Sequence, residues 1–131
     1  MNLVKNPTMN PSLDLSVLKC FESIQIEDEP DIIVELIDLY LEDVPRRFEL
    51  MRSAISAGDR SEVQRQAHTV KGSSGNLGAR GISQICDRME HLTPVGPRFS
   101  MPMLMDQLEL EFSAVSVMLL QERARRLGLR C

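Results

Sequence analysis

The chain has 131 residues, 43% of them hydrophobic, which suits one core and one domain rather than two. Four Phe, one Tyr and no Trp, set against plentiful Leu, Ile, Val and Met, favour packed helices over a β-sandwich. A net charge of −4 gives no electrostatic case for binding nucleic acid, and no run approaches the roughly 20 apolar residues that a membrane span requires.

Residues 1–12, with Pro7 and Pro11 among Asn and Thr, read as a flexible leader before a helical domain over 13–127 and a short tail at 128–131. A first helix is expected over 14–21, where Leu15, Leu18 and Cys20 or Phe21 would cover one end of a core. The second starts at Pro30, whose missing N–H is harmless in a first turn, and its apolar face is Ile33, Leu36, Ile37, Tyr40, Leu41, Val44 and Phe48. Pro45 should bend or loosen this helix without ending it, since Met51 and Ile55 continue the pattern up to Gly58. Asp59, with Glu62 three residues on, reads as the capping box of a third helix.

A fourth helix is expected from about Arg80, with Ile82, Ile85, Cys86, Met89 and Leu92 at helical spacing, before a turn or loop at Thr93-Pro94-Val95-Gly96-Pro97. The last runs from near Pro102 to about Arg126, with Met105, Leu108, Phe112, Val115 and Leu119 inward and the basic stretch Arg123-Ala124-Arg125-Arg126 as a solvated helix end. No segment alternates as a strand should. The expected fold is all-α: an antiparallel four-helix bundle with an additional short N-terminal helix.

Cys20, Cys86 and Cys131 are too widely spaced for a metal site or a disulfide framework, so a reducing, cytoplasmic setting is expected, with Cys86 buried and Cys131 exposed. The eight methionines, Met101, Met103 and Met105 included, read as core or loop filling. His91 is an ordinary helix-end histidine, and a His68/His91 metal pair lacks carboxylate or thiolate ligands that the sequence can place.

The third helix carries the chemistry. At about 100° per residue Val63, Ala67, Val70, Ser74 and Leu77 form one small or apolar stripe, while Gln64, His68, Lys71, Gly72 and Gly75 gather opposite. His68 therefore points to solvent, and a neutral imidazole is a competent nucleophile near neutral pH. Glycine inside a helix costs roughly 1 kcal/mol relative to alanine, so Gly72 and Gly75 require a local reason: they clear space around the imidazole for a partner's reactive group. Lys71, about 60° round the helix from His68, would offer its ammonium to phosphoryl oxygens. A rival reading ends the helix at Lys71, with Gly72 as its left-handed cap. The glycines at 72, 75, 78 and 81 match neither a GxGxxG nor a GxxxxGK[ST] pattern, which argues against a nucleotide site.

The run A-H-T-V-K-G-S-S-G-N-L-G-A, 67–79, resembles the signature of histidine-containing phosphotransfer (Hpt) domains, in which Lys and Gly follow a helix-borne His at the third and fourth positions. A less sharp similarity extends from about Leu13 to Leu120 and includes L-x-x-Y/F-L-x-D-x-P-x-R, here 36–46. The resemblance implies a phosphorelay protein in which His68 is the phosphoacceptor, Lys71 stabilises the phosphoryl group and Gly72 keeps the docking surface open. It further implies a monomeric phosphocarrier with no cofactor or ATP site of its own. Its partners would be a sensor histidine kinase and response-regulator receiver domains, the receivers supplying Mg²⁺, with Gln64, Gly75, Arg46 and Arg47 as candidate contacts. The family often has Gln on the next helix near the phosphohistidine; this chain has Glu90 there, and a carboxylate would repel phosphate. Two other readings remain open at this stage: a helical adaptor that is not phosphorylated, and an Hpt module from a hybrid sensor kinase, although Met1 and the short leader favour a free-standing protein.

Overall fold

A computed structural model describes residues 12–93 and 100–128, which are all-helical apart from turns and one isolated bridge between Leu13 and Ala79. Five α-helices follow one another: α1 (Leu15–Lys19), α2 (Ile32–Ala57), α3 (Arg60–Leu77), α4 (Arg80–Glu90) and α5 (Met101–Arg126). A 3₁₀ turn, Cys20–Ile24, extends α1. The expected residues 1–11, the loop at 94–97 and Cys131 lie outside the described residues.

α2, α3 and α5 each start at a side chain that accepts free N–H groups, whereas α4, entered directly from the Gly78 turn, has Ala79 at its start and no side-chain cap. Asp31 Oδ1 accepts from Ile33 and Val34 at 2.8 and 3.2 Å, so the cap of α2 is Asp31 and the expected start at Pro30 falls outside the helix. Asp59 caps α3 through the Glu62 N–H at 3.2 Å. The expected capping box is only half made, because the Glu62 carboxylate turns to Arg65 and Gln66 while the Asp59 N–H bonds Ala54 O at 2.8 Å. Ser100 caps α5. Pro45 is accommodated inside a continuous α2, on its exposed side.

Gly58 and Gly78 end α2 and α3 in the left-handed conformation, at φ 72° and 86°. At Gly78 the N–H of Ala79 reaches Ser74 O and that of Gly78 reaches Gly75 O, which closes the end of α3 and turns the chain directly into α4. The N-terminal segment lies across this turn, with the Asp14 N–H on Gly78 O at 2.8 Å. A Cβ at Gly78 would be driven into the Asp14 carbonyl.

The apolar stripes read from the sequence meet in one core. Val63, Ala67, Val70, Ser74 and Leu77 of α3 are all buried, facing Ile33, Ile37, Tyr40 and Val44 of α2 among others. α2 packs on α3 and α5, and α4 packs on the same two, so α3 and α5 sit diagonally. Deep in the α2–α3 seam Tyr40 pairs with Ser74, hydroxyl to hydroxyl at 2.6 Å. Phe112 meets Phe48 edge-on at 5.2 Å between centroids. Cys86 is buried as expected, and burial pushes its thiol up to about 12, which leaves it unreactive.

Two expectations fail on the last helix. The basic end is solvated only in part: Arg125 is 62% exposed, but Arg126 is only 10% exposed and joins Glu122, Asp31 and Glu22, while Arg123 holds Asp38 at 2.6 Å. These cations fasten the C-terminal end of α5 to α2 and to the 3₁₀ turn. Among the methionines Met105 is buried, but Met103 is half exposed on the outer side of α5 and fills no core space.

Gly72 and Gly78 of the α3 motif should respond oppositely to alanine. Gly78→Ala meets a left-handed backbone and the Asp14 carbonyl and should lose about 1–2 kcal/mol or more. Gly72→Ala, in right-handed helix with nothing within 4 Å of the added carbon, should gain up to about 1 kcal/mol. Paired thermal melts check both signs.

Candidate functional site

α3 continues six residues beyond Lys71, so the left-handed-cap reading of Gly72 fails; Gly78 is the cap. His68 is therefore mid-helix, with its side chain 67% exposed on the face opposite the core stripe. Gly72, one turn later, is exposed with open space where a side chain would stand.

The imidazole is oriented from α4. Glu90, on the last turn of that helix, places Oε2 2.7 Å from His68 Nδ1. When the ring is neutral, Nδ1–H donates to the carboxylate and Nε2 keeps its lone pair on the solvent side. Glu90 Oε1 is buried and makes no aligned hydrogen bond; its charge is met by the Lys71 ammonium at 2.6 Å. Lys71 also reaches Asp87 Oδ1 at 3.2 Å. One carboxylate thus bridges the imidazole and the cation that the sequence placed beside each other on α3.

The electrostatics follow from that bridge. Lys71, then His68, hold the Glu90 carboxyl below its usual range against the opposing effect of desolvation. Glu90 and then Asp87 raise the Lys71 ammonium above its usual value. A lowered carboxylate contributes stability that is present above its unfolded value and lost as pH falls through the folded one. A raised ammonium contributes below its unfolded value and loses that contribution as pH rises through the folded one. The arrangement is accordingly intact across the range between the ordinary Glu and Lys values, about 4.3 to about 10.4.

Repulsion is not the whole of Glu90's effect, because its carboxylate faces the Lys71 ammonium and the His68 imidazole as well as the space where a phosphoryl group would stand. Asp87, a further member of the site, was not singled out from sequence; its signal was the i, i+3 spacing to Glu90 on one face of α4. Asp87, Glu90 and His91 carry ligand atoms within 4.8 Å of one another. That supplies the carboxylates missing from the His68/His91 idea, but Glu90 and Asp87 are already engaged with Lys71, and His91 Nδ1 lies 2.9 Å from the Asp87 carbonyl at the end of α4. The donor set fits a helix-end network better than a cation site.

The remaining candidates divide by the neighbour they face. Gln64 gives its amide to the Met89 and Leu92 carbonyls, both at 3.3 Å, and so ties α3 to the end of α4. Gly75 also faces α4, where a Cβ would stand 3.5 Å from Ser83 Oγ; that hydroxyl donates to Lys71 O at 2.7 Å and fixes the two helices together. On the other flank Arg46 and Arg47 share Asp43, at 2.6 Å each, and Arg47 also donates to the buried Gln66 at 2.9 Å. Arg47 borders a groove of about 500 Å³ between α2 and α3, whose apolar wall includes Phe21, Leu36 and Leu39 and whose rim includes Asn76.

The geometry fixes one tautomer. At about pH 9, where an imidazole is neutral, long-range ¹H–¹⁵N spectra should show His68 protonated on Nδ1, and Glu90→Ala should move the ring toward a mixture of tautomers. An Nε2–H signature in the unmodified protein would contradict the contact.

Comparison with known proteins adds an independent line. The Hpt domain family model matches residues 35–123. Histidine-containing phosphotransfer proteins 5 and 2 of Arabidopsis thaliana are each 24% identical over 99 and 101 residues, 73% and 75% of this chain. The chain spans 63% and 65% of their lengths. The crystal structure of histidine-containing phosphotransfer protein B (HptB) from Pseudomonas aeruginosa PAO1 superposes with a TM-score of 0.77 at 33% identity, covering 88% of this chain and 97% of that one. The maize phosphotransfer protein ZmHP2 shares the fold, with a TM-score of 0.71 at 18% identity over 91% and 92% of the two chains. With the model match spanning α2 to α5 and the His-x-x-Lys-Gly run inside it, the chain belongs to the Hpt domain family.

Proposed function

We propose that this chain is a phosphocarrier in a two-component phosphorelay, passing a phosphoryl group between His68 and aspartates of receiver domains, with no ATP site of its own. The observation that carries the reading is the exposed His68 whose Nδ1 is held by Glu90 beside Lys71. Family membership and the names of the relatives support it.

The chemistry follows from the ring's orientation. The Nε2 lone pair attacks the phosphorus of an aspartyl phosphate, the P–O bond to the aspartate breaks, and the aspartate leaves as a carboxylate. No base has to remove a proton, because Nε2 carries none. The ring keeps its Nδ1 proton and becomes a cation facing Glu90, so the carboxylate stabilises charge where it develops. Lys71 turns from Glu90 and Asp87 to the phosphoryl oxygens as a point charge. Return transfer to a second receiver reverses these steps. The divalent ion, Mg²⁺, belongs to the partner receiver domain, and a sensor histidine kinase stands upstream.

Docking uses the open face of α3 at Gly72 and Thr69 and continues over Asn76 to the groove beside Leu39, with Arg47 at its edge and Arg46 beside it on the shared Asp43. The four long helices act as an antiparallel bundle, closed at one end by α1, that gives His68 a rigid base. The setting proposed is cytoplasmic, where receiver domains are met.

His68→Gln should abolish acceptance of acid-labile, base-stable phosphate from a phosphorylated receiver with Mg²⁺, while leaving the melting temperature within a few degrees of the parent because the side chain is exposed. Retained phosphorylation would overturn the assignment. Gly72→Gln should slow transfer from a receiver by about tenfold or more, equivalent to about 1.4 kcal/mol in the docked transition state, and change acceptance from a small phosphodonor much less.

A further inference from the structure

After the first turn of α3 its fully exposed residues are Arg65, His68, Gly72, Gly75 and Asn76. Two glycines and an asparagine leave that face nearly bare beyond the imidazole, and the one long side chain retained on it is Arg65, 67% exposed. At about 100° per residue Arg65 and Lys71 stand about 60° to either side of His68, Lys71 toward α4 and Arg65 toward solvent. A helical side chain leans over the turn before it, so the imidazole lies above the turn that carries Gln64 and Arg65. Gln64 is committed to the α4 carbonyls and Glu90 to Nδ1, which leaves Arg65 as the neighbour on the Nε2 side of the ring.

We propose that Arg65 is a second ligand of the phosphoryl group on His68, on the side of the ring opposite Lys71; this rests on the phosphocarrier reading of the site. The phosphoryl group on Nε2 presents three oxygens, of which Lys71 meets one as a point charge, while a guanidinium takes two in its planar fork. That fork is at present turned to Glu62, whose carboxylate accepts from Arg65 Nε and Nη2 at 2.9 Å each. An ion pair between residues three apart on one helix, with the cation in solvent, is weakly held and is readily exchanged for a dianion. Glu62 is not orphaned by the exchange, because its Oε2 also accepts from the buried Gln66 Nε2 at 2.9 Å, and Gln66 is held in turn by Arg47. Glu62 therefore keeps the guanidinium within one turn of the imidazole until a phosphoryl group arrives.

The balance of charge supplies an independent reason. Lys71 is already shared between Glu90 and Asp87, so without Arg65 two carboxylates and a phosphoryl dianion would face one ammonium and the phosphorylated ring. Arg65 adds the missing cation on the side that α4 does not reach. A face otherwise cleared of side chains keeps this one because it joins the reaction, whereas Gly72 and Gly75 serve by being small.

Phosphorylation of the full chain by phosphoramidate and by a phosphorylated receiver with Mg²⁺, measured on the parent, Arg65→Ala and Arg65→Lys, tests the assignment. Arg65→Ala should slow acceptance from both donors by about tenfold, in contrast to a docking residue, which acts on the receiver alone. Arg65→Lys should recover part of the loss, since it returns the charge without the fork. In ³¹P spectra of the phosphorylated protein the titration of the phosphoryl oxygens should move to higher pH in Arg65→Ala, because a cation that favours the dianion beside Lys71, Glu90 and Asp87 has gone. Loss of a merely structural pair with Glu62 would leave that titration in place. Slowing confined to the receiver would make Arg65 a docking contact and overturn the proposal, as would unchanged rates with an unchanged ³¹P titration. A parent chain that takes no phosphate from either donor would overturn the phosphocarrier reading itself, an outcome distinct from a competent parent whose Arg65→Ala variant is equally fast.

Discussion

The Glu90 carboxylate, shared between His68 Nδ1 and the Lys71 ammonium, is the contact on which the site depends. Without it the imidazole has no partner to select a tautomer, and Lys71 has lost the nearer of its two anchors. With it, the ring nitrogen left free is Nε2, the ring is aimed outward, and the Lys71 ammonium is held beside it. A glutamine in the same place could accept the Nδ1 proton but could neither neutralise Lys71 nor oppose the positive charge that the ring acquires on phosphorylation. In the proposed relay the carboxylate would exchange some repulsion toward the phosphoryl group for stabilisation of the phosphorylated ring.

That contact spans two helices, so its geometry is only as good as the α3–α4 hairpin. The hairpin is fixed at three heights. At the bottom the left-handed Gly78 turns the chain, and the Asp14 N–H closes over its carbonyl. In the middle Ser83 Oγ donates to Lys71 O, one residue from Gly72. At the top Gln64 holds the final carbonyls of α4, near Glu90 itself. On the opposite side of α3 the buried stripe and the Tyr40–Ser74 pair hold it to α2. Nothing in this scheme requires His68 to be buried, which is what lets a reactive side chain sit on a rigid element and remain accessible.

Much of this was legible in the sequence because helical spacing reports faces. The 63, 67, 70, 74, 77 stripe is wholly buried, and His68 is exposed opposite it, because a helix 18 residues long leaves little freedom in which side faces inward. Spacing could not choose between Gly72 and Gly78 as the cap; the hydrogen bonds closing at Ser74 and Gly75 decide that. Nor does spacing report partners across helices. Arg126 read as a solvated end and is enclosed by three carboxylates drawn from the 3₁₀ turn, α2's cap and its own helix. Glu90 read as repulsive because its two partners are 19 and 22 residues away in sequence.

The nitrogen that carries the phosphoryl group tests the role of Glu90 most directly. Phosphorylating ¹⁵N-histidine-labelled protein and recording the ³¹P–¹⁵N couplings of the His68 ring identifies the bonded atom. Because Nδ1 is committed to the carboxylate 2.7 Å away, the account predicts phosphorus on Nε2 with the Nδ1 proton retained. Phosphorus on Nδ1 would mean that the Glu90 contact is broken in the reacting protein, and would contradict it.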